Sequence, residues 1–167
     1  MKLNVTDDMS KLKVGQEIFL SGTIFTARDK AHLILLEKEF PHLKNSIIYH
    51  CGPVIQNKNI ISAGPTTSAR MNGLSRKLID KYSVKAIIGK GGMNAEKIKG
   101  TVYLSAVGGA GVVYARRSKI KDVFFPELGM ADAIWKLEIT EFPLIVTIDA
   151  QGNSLHDEIE KSSRANI

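Results

Sequence analysis

An α/β domain with a central sheet and flanking helices is the fold class that the sequence predicts, on three observations. Short runs rich in β-branched and aromatic residues alternate with stretches whose apolar residues recur at helical spacing. Glycine turns join one kind to the next, at Gly64-Pro65, at Gly89-Lys90-Gly91-Gly92 and at Gly108-Gly109-Ala110-Gly111. Repeated strand, glycine turn and helix is the pattern of a sheet covered by helices. The chain of 167 residues, 44% apolar, suffices for one good core, with no internal repeat and no low-complexity segment, so one domain is expected.

Taken in order, Ile18 to Thr26 reads as a strand around Gly22, and Arg28-Asp29-Lys30-Ala31-His32 opens a helix running through Leu36. Ser46 to His50 is a short apolar strand closed by Cys51-Gly52-Pro53. A second short strand around Ile60 leads into Gly64-Pro65, after which Met71, Leu74, Leu78 and Tyr82 recur at helical spacing, so a helix is predicted to start near Thr66 and Thr67. Val84 to Ile88 and Thr101 to Val107 are strands, with a short helix from about Asn94 to Lys99 between them and another over Val112 to Ala115. Val123-Phe124-Phe125 extends the sheet. The period of Met130 to Trp135 fits helix or strand, Phe142 to Ile148 alternates like a strand, and Ala150 to Asn153 turns it back. The polar tail after Ile159 is expected to fray, and the extra strands at the two ends to form a second sheet layer or a hairpin flank.

Composition excludes several function classes. The single cysteine, Cys51, permits no internal disulfide and fits a reducing compartment. It also leaves the chain short of the three or four thiolates that a four-iron cluster normally takes. No apolar run approaches the roughly 20 residues of a membrane span and the first residues make no secretory leader, so a soluble, cytoplasmic protein with no membrane partner is expected. The net charge of +6 suits a nucleic acid, a small acidic substrate or an acidic protein. Its basic residues are scattered and not interleaved with aromatics, which disfavours nucleic acid.

The chemistry concentrates in Gly64-Pro65-Thr66-Thr67-Ser68-Ala69-Arg70-Met71. A strand ending in such a turn presents free N–H groups, three hydroxyls and, in Arg70, a planar fork suited to a carboxylate. In open α/β sheets ligands sit beyond the carboxyl ends of strands, where Arg28 with His32, the Thr66 to Arg70 turn and Lys90 would all stand. Two arginines, a lysine and a helix N-terminus suit a small dicarboxylate. The competing reading makes Arg28 and Arg70 surface ion-pair partners. Thr66 or Thr67 could exchange a proton with substrate beside a cation, although at least one is expected to serve as a helix cap.

Other motifs fall short. Gly89-Lys90-Gly91-Gly92 lacks the spacing and the Ser or Thr of a phosphate loop, and Gly108-Gly109-Ala110-Gly111 lacks the rest of a dinucleotide fingerprint, so its glycines are read as tight packing or turns. The four histidines are too dispersed for a metal site. His50 and Cys51 point to opposite faces of a strand, making Cys51 a small buried or turn residue rather than a nucleophile. No nucleophile elbow is present.

With Ser21-Gly22-Thr23-Ile24-Phe25-Thr26-Ala27-Arg28-Asp29-Lys30-Ala31-His32, Cys51-Gly52-Pro53, the Gly-Pro-Thr-Thr-Ser-Ala-Arg-Met turn and Gly89-Lys90-Gly91 in this order, the chain resembles the iron-sulfur hydro-lyases. Within them it is similar to the β subunit of class I fumarate hydratase, with L-tartrate dehydratase β as near relative. The resemblance runs from about Gly15 to Asp157 and includes Gly129-Met130 to Trp135-Lys136 and Glu141-Phe142-Pro143.

The resemblance implies a swivelling β/β/α domain over residues 1–167 that closes over a four-iron four-sulfur cluster carried by a separate α subunit, with none bound by this chain. It implies that Arg28, Arg70 and Lys90 hold substrate carboxylates and that Thr66 takes part in proton transfer. The reaction it implies is reversible hydration of fumarate to (S)-malate, one iron of the partner's cluster serving as Lewis acid on the hydroxyl. L-tartrate is the alternative substrate. A heterodimer doubled into a heterotetramer, or a homodimer of this chain, is compatible with it. The rival readings of other classes are a basic nucleic-acid-binding module and a non-catalytic assembly subunit whose glycine turns dock a partner.

Overall fold

The computed structural model describes residues 1–165. Its strands are β1 (Lys2–Asn4), β2 (Glu17–Thr26), β3 (Ile47–Tyr49), β4 (Val54–Gln56), β5 (Asn59–Ser62), β6 (Ala86–Gly89), β7 (Val102–Ser105), β8 (Ser118–Phe124) and β9 (Ile134–Ile148). Its α-helices are α1 (Asp29–Glu37), α2 (Asn72–Tyr82), α3 (Gly111–Arg116) and α4 (Leu155–Ala165).

Seven strands form one sheet in the order β1-β2-β3-β6-β7-β9-β8, and β2 also pairs with β9. The added pairing closes β2, β3, β6, β7 and β9 into a ring. Strands β2, β3, β6 and β7 run parallel, and β9 runs antiparallel to both of its ring neighbours. Closure is possible because β2 and β9 are long: β1 and β3 share one edge of β2 while β9 takes the other.

Alternation along the strands sorts the apolar residues into two cores. Ile18, Leu20 and Ile24 of β2, Ile47 and Tyr49 of β3, Ala86 and Ile88 of β6, Val102 and Leu104 of β7, and Leu137, Ile139, Phe142 and Leu144 of β9 fill the ring. Their odd-numbered or even-numbered neighbours Phe25, Ile48, Ile87, Tyr103 and Ile148 point outward and pack under Ala31 and Leu35 of α1 and Leu78, Ile79 and Tyr82 of α2. The strands therefore carry apolar residues on both faces, which is why they read as apolar runs.

Where the ring bends, one strand carries an extra residue. Between Leu20↔Phe142 and Gly22↔Ile139 the register shifts by one residue on β9. Glu141 there adopts φ 47°, and its free N–H donates to Ser21 Oγ at 2.9 Å. Opposite the bulge, Gly22 has φ +119°, and a Cβ on it would meet Val5 Cγ2 at 2.5 Å.

Four expectations need correction. The end strands do not build a second layer: β1 and β8 extend the sheet and β9 closes it, while β4 and β5 make the hairpin flank. A 3-10 turn over Ser68–Met71 separates the threonines from α2, whose first residue is Asn72. The backbone of Thr66 and Ser68 is already bonded to neighbouring strand ends, so it is not free to begin the helix. Thr67 stands at the N-cap position of the 3-10 turn but makes no side-chain cap bond. Beyond Ile159 the polar tail continues α4 to Ala165, with Arg164 and Glu160 paired one turn apart; residues 166 and 167 lie outside the described residues. The Met130 to Trp135 ambiguity resolves as a loop feeding β9 at Ile134.

Candidate functional site

Three loops meet beyond the carboxyl ends of β2, β3 and β6. Their backbones are laced together: the Thr66 amide donates to His50 O at 2.6 Å, the Lys90 amide to Thr66 O at 3.2 Å and the Ser68 amide to Lys90 O at 3.0 Å. Thr67 and Lys90 form an isolated parallel bridge, and Cys51 and Pro65 an antiparallel one. The Thr66 to Arg70 turn is thus held as an added strand segment between β3 and β6. Thr66 and Lys90 are half-buried and Thr67 is exposed, whereas Ser68 is buried.

Arg28 follows β2 and occupies the N-cap position of α1. Its side chain lies over Gly52, where a Cβ would fall 2.8 Å from both Arg28 Cδ and Nη1 and 2.8 Å from Ala131 O. The glycine of Cys51-Gly52-Pro53 is what lets the guanidinium pass. Arg28 Nε is buried with no hydrogen-bond partner, an orphaned cationic donor at the rim. Arg70 is exposed and donates from Nη2 to Asp29 Oδ2 at 2.7 Å. Asp29 is the residue after Arg28, so this ion pair ties the Arg70 turn to the start of α1. All four predicted site residues, Arg28, Thr66, Arg70 and Lys90, belong to this cluster of loops. For Arg70 the ion-pair alternative also describes its present contact.

The two glycine loops differ in what they do. Gly91 and Gly92 follow Lys90 with φ +73° and +70°, left-handed backbone that releases the chain from β6 immediately past the lysine. Gly111 serves packing: a Cβ there would lie 2.3 Å from Ser62 Oγ and 3.2 Å from Gly64 N, so α3 presses against the strand leading into the turn.

Sequence reasoning missed the layer beneath. His50 Nδ1 is 2.8 Å from Ser68 Oγ, and the Tyr103 hydroxyl donates to the same Oγ at 2.9 Å. His32 Nδ1 lies 2.9 Å from Arg28 O, and the rings of His32 and His50 are 5.1 Å apart. Burial holds both histidines below the ordinary imidazole range, His50 far below it with the neighbouring His32 adding to the effect. Strand alternation held a signal for this layer, because His50, Gly89 and Tyr103 all share the outward parity of Ile48 and Ile87.

Among the described residues no group of three or more His, Cys, Asp and Glu could hold a metal ion. Cys51 is buried in the ring, and burial pushes its thiol up to about 12, the Tyr49 and Arg28 contacts offsetting part of that. A thiol so placed is a poor iron ligand. No described helix is long and apolar enough to cross a membrane.

The sequence was also compared with known proteins. The family model described as fumarase C-terminus matches residues 1–159. A putative L(+)-tartrate dehydratase subunit beta of Methanocaldococcus jannaschii is 45% identical, over 92% of this chain and 88% of its own length. The L(+)-tartrate dehydratase subunit beta of Escherichia coli is 36% identical, over 93% and 84%. A putative class I fumarate hydratase of Geobacillus stearothermophilus is 40% identical over 94% of this chain, which corresponds to 33% of that longer protein. Matched along nearly its whole length, the chain belongs to the fumarase C-terminus family, the β-type part of the hydro-lyases that include tartrate dehydratase and class I fumarate hydratase.

Proposed function

We propose that this chain is the β subunit of a two-subunit iron-sulfur hydro-lyase that hydrates fumarate reversibly to (S)-malate. It would act as a swivelling β/β/α domain closing over a four-iron four-sulfur cluster held by a separate α subunit. The observation that carries this is the meeting of Arg28, the Thr66 to Arg70 turn and Lys90 at one rim, linked by Thr66, Ser68 and Lys90 backbone bonds and by the Arg70–Asp29 pair.

In this reading the chain's own residues bind and orient a dicarboxylate. Arg28, with an unpaired buried Nε–H, donates to one carboxylate oxygen and so satisfies an orphaned donor. Arg70 exchanges Asp29 for the second carboxylate, so Asp29 keeps the guanidinium placed until substrate arrives. Lys90 adds a mobile ammonium beside Thr66, whose hydroxyl carries the proton at the substrate carbon that gains or loses hydrogen. The cluster, when the partner supplies it, contributes Lewis-acid chemistry toward the hydroxyl.

The second reading, L(+)-tartrate as substrate, is favoured by the names of the M. jannaschii and E. coli relatives, which match this chain along most of their own length. Both substrates present two carboxylates to the same cations and differ in hydroxyls. Co-expression with the cluster-bearing partner, anaerobic reconstitution and turnover on fumarate, malate and tartrate distinguish them. Arg70→Ala is expected to lower kcat/KM by about tenfold to a hundredfold or more, the loss of a charge-assisted contact, with the chain still folded. Unchanged turnover in that variant refutes the assignment. The chain purified alone is expected to contain no iron and to show no hydratase activity. Titration with RNA or DNA at physiological salt is expected to show at most weak, salt-sensitive association.

A further inference from the structure

Beneath the Thr66 to Arg70 turn runs a chain of buried polar groups that the chemistry above leaves unused. Ser68 is fully buried, its Oγ bonded by the Tyr103 hydroxyl and adjacent to His50 Nδ1, and His50 is fully buried too. A Cβ on Gly89 would fall 1.9 Å from Ser68 Oγ and 3.0 Å from the Tyr103 hydroxyl oxygen. The serine hydroxyl is therefore inserted where only glycine leaves room.

Bond directions follow from which groups can be satisfied. Burial keeps the His50 ring neutral and the Tyr103 phenol protonated, the latter pushed up to about 12 despite its bonds to Ser68 and Gly92. A proton on His50 Nδ1 would make Ser68 Oγ accept twice, stranding both the serine hydrogen and the Nε2 lone pair. With the proton on Nε2, Ser68 accepts from Tyr103 and donates to Nδ1, and one atom of the set is left unpaired, the buried His50 Nε2. The second arrangement satisfies more groups.

The same serine also donates its amide to Lys90 O, while the Lys90 amide donates to Thr66 O. Its side chain anchors the turn downward and its backbone anchors it sideways to the lysine. We propose that Ser68, His50 and Tyr103 are positioning residues that hold the Thr66 to Arg70 turn in register with Lys90 and thereby set dicarboxylate affinity. The kinetic consequence rests on the functional reading above; the ordering of the turn does not.

Amide hydrogen exchange on the full chain and steady-state kinetics of the reconstituted complex test it together. Tyr103→Phe removes one hydroxyl, Ser68→Ala removes both bonds, and His50→Leu removes the ring acceptor, whereas His50→Asn offers a carboxamide oxygen near the Nδ1 position. The first three are expected to speed exchange at the Ser68 and Lys90 amides by about tenfold, leaving the β2–β9 ladder unaffected, and His50→Asn to restore slow exchange. In the complex the same three are expected to raise KM by about tenfold with kcat changed by less than about threefold, and His50→Asn to recover KM. Unchanged exchange at Ser68 and Lys90 in Tyr103→Phe and Ser68→Ala overturns the proposal, as does equal acceleration throughout the ladder. Faster exchange with an unmoved KM overturns its claim on affinity. A wild-type complex that turns over neither fumarate nor tartrate sinks the functional reading instead, and exchange still decides whether the turn is positioned.

Discussion

His32 and His50 lie under the candidate site as neutral rings, and this has a pH signature. Their folded values stand below 6.5, the ordinary value they regain on unfolding. The unfolded chain therefore binds protons that the folded chain refuses as pH falls below about 6.5, and stability is lost in that window at up to about 1.4 kcal/mol per pH unit for each histidine. Urea titrations at pH 7 and pH 5 check this, and His50→Asn is expected to lose less between them. The carboxyls of Asp8, Asp80 and Glu141, held low by hydrogen bonds to Ser10, Arg76 and Lys2, contribute stability that is lost only in a more acidic window. Gly89→Ala belongs to the same layer. The methyl would collide with Ser68 Oγ, and a cost of about 1–3 kcal/mol is expected in thermal or urea unfolding.

Strand β9 is the element on which ring closure depends. It pairs with β2, β7 and β8 and changes face at the Glu141 bulge and again between Val146 and Ile148, where its register against β7 shifts. After the bulge Phe142 enters the ring and meets Tyr114 at 4.5 Å and Tyr49 at 5.5 Å between ring centroids. These three aromatics are almost fully buried, and the Tyr49 hydroxyl is satisfied by Ala63 O. Phe142→Ala is expected to cost about 3–5 kcal/mol, the range for emptying an aromatic site in a packed core. A loss below about 1 kcal/mol in denaturant unfolding would show that the ring collapses around the gap. The strand was readable from Phe142 to Ile148 by its alternation, but its first half was not. Thr140 and Glu141 interrupt the period where the bulge inserts a residue, so local alternation breaks at the point that bends the strand.

Closure of the sheet decides how the molecule exposes its chemistry. The parallel strands end together, so loops far apart in sequence converge, and the Arg70–Asp29 pair joins two of them across 41 residues. The interior side holds Cys51, whose thiol is expected to resist disulfide-exchange reagents at neutral pH and to react at the rate of unfolding. Labelling followed with and without denaturant measures it, and rapid reaction of the folded chain would contradict the burial. In the proposed function, exchange of Asp29 for substrate and closure against a partner would both act at this one end of the ring, opposite its packed interior.

Strand periodicity and glycine punctuation made the α/β class, most of the elements and the location of Arg28, Thr66, Arg70 and Lys90 at strand ends legible, because these depend on neighbours within a few residues. The net charge of +6 left a nucleic acid, a small acidic substrate and an acidic protein open, and the lone cysteine led to the expectation that a four-iron cluster is carried elsewhere. Ring closure, the 3-10 turn ahead of α2, the Asp29 partner of Arg70 and the Tyr103–Ser68–His50 chain were settled by folding in three dimensions. Each is a contact between segments whose separation leaves no local trace: Ser68 meets Tyr103 across 35 residues and β2 meets β9 across more than 100. Local preference chooses a strand or a helix, whereas which polar group satisfies which depends on where the whole chain has brought them.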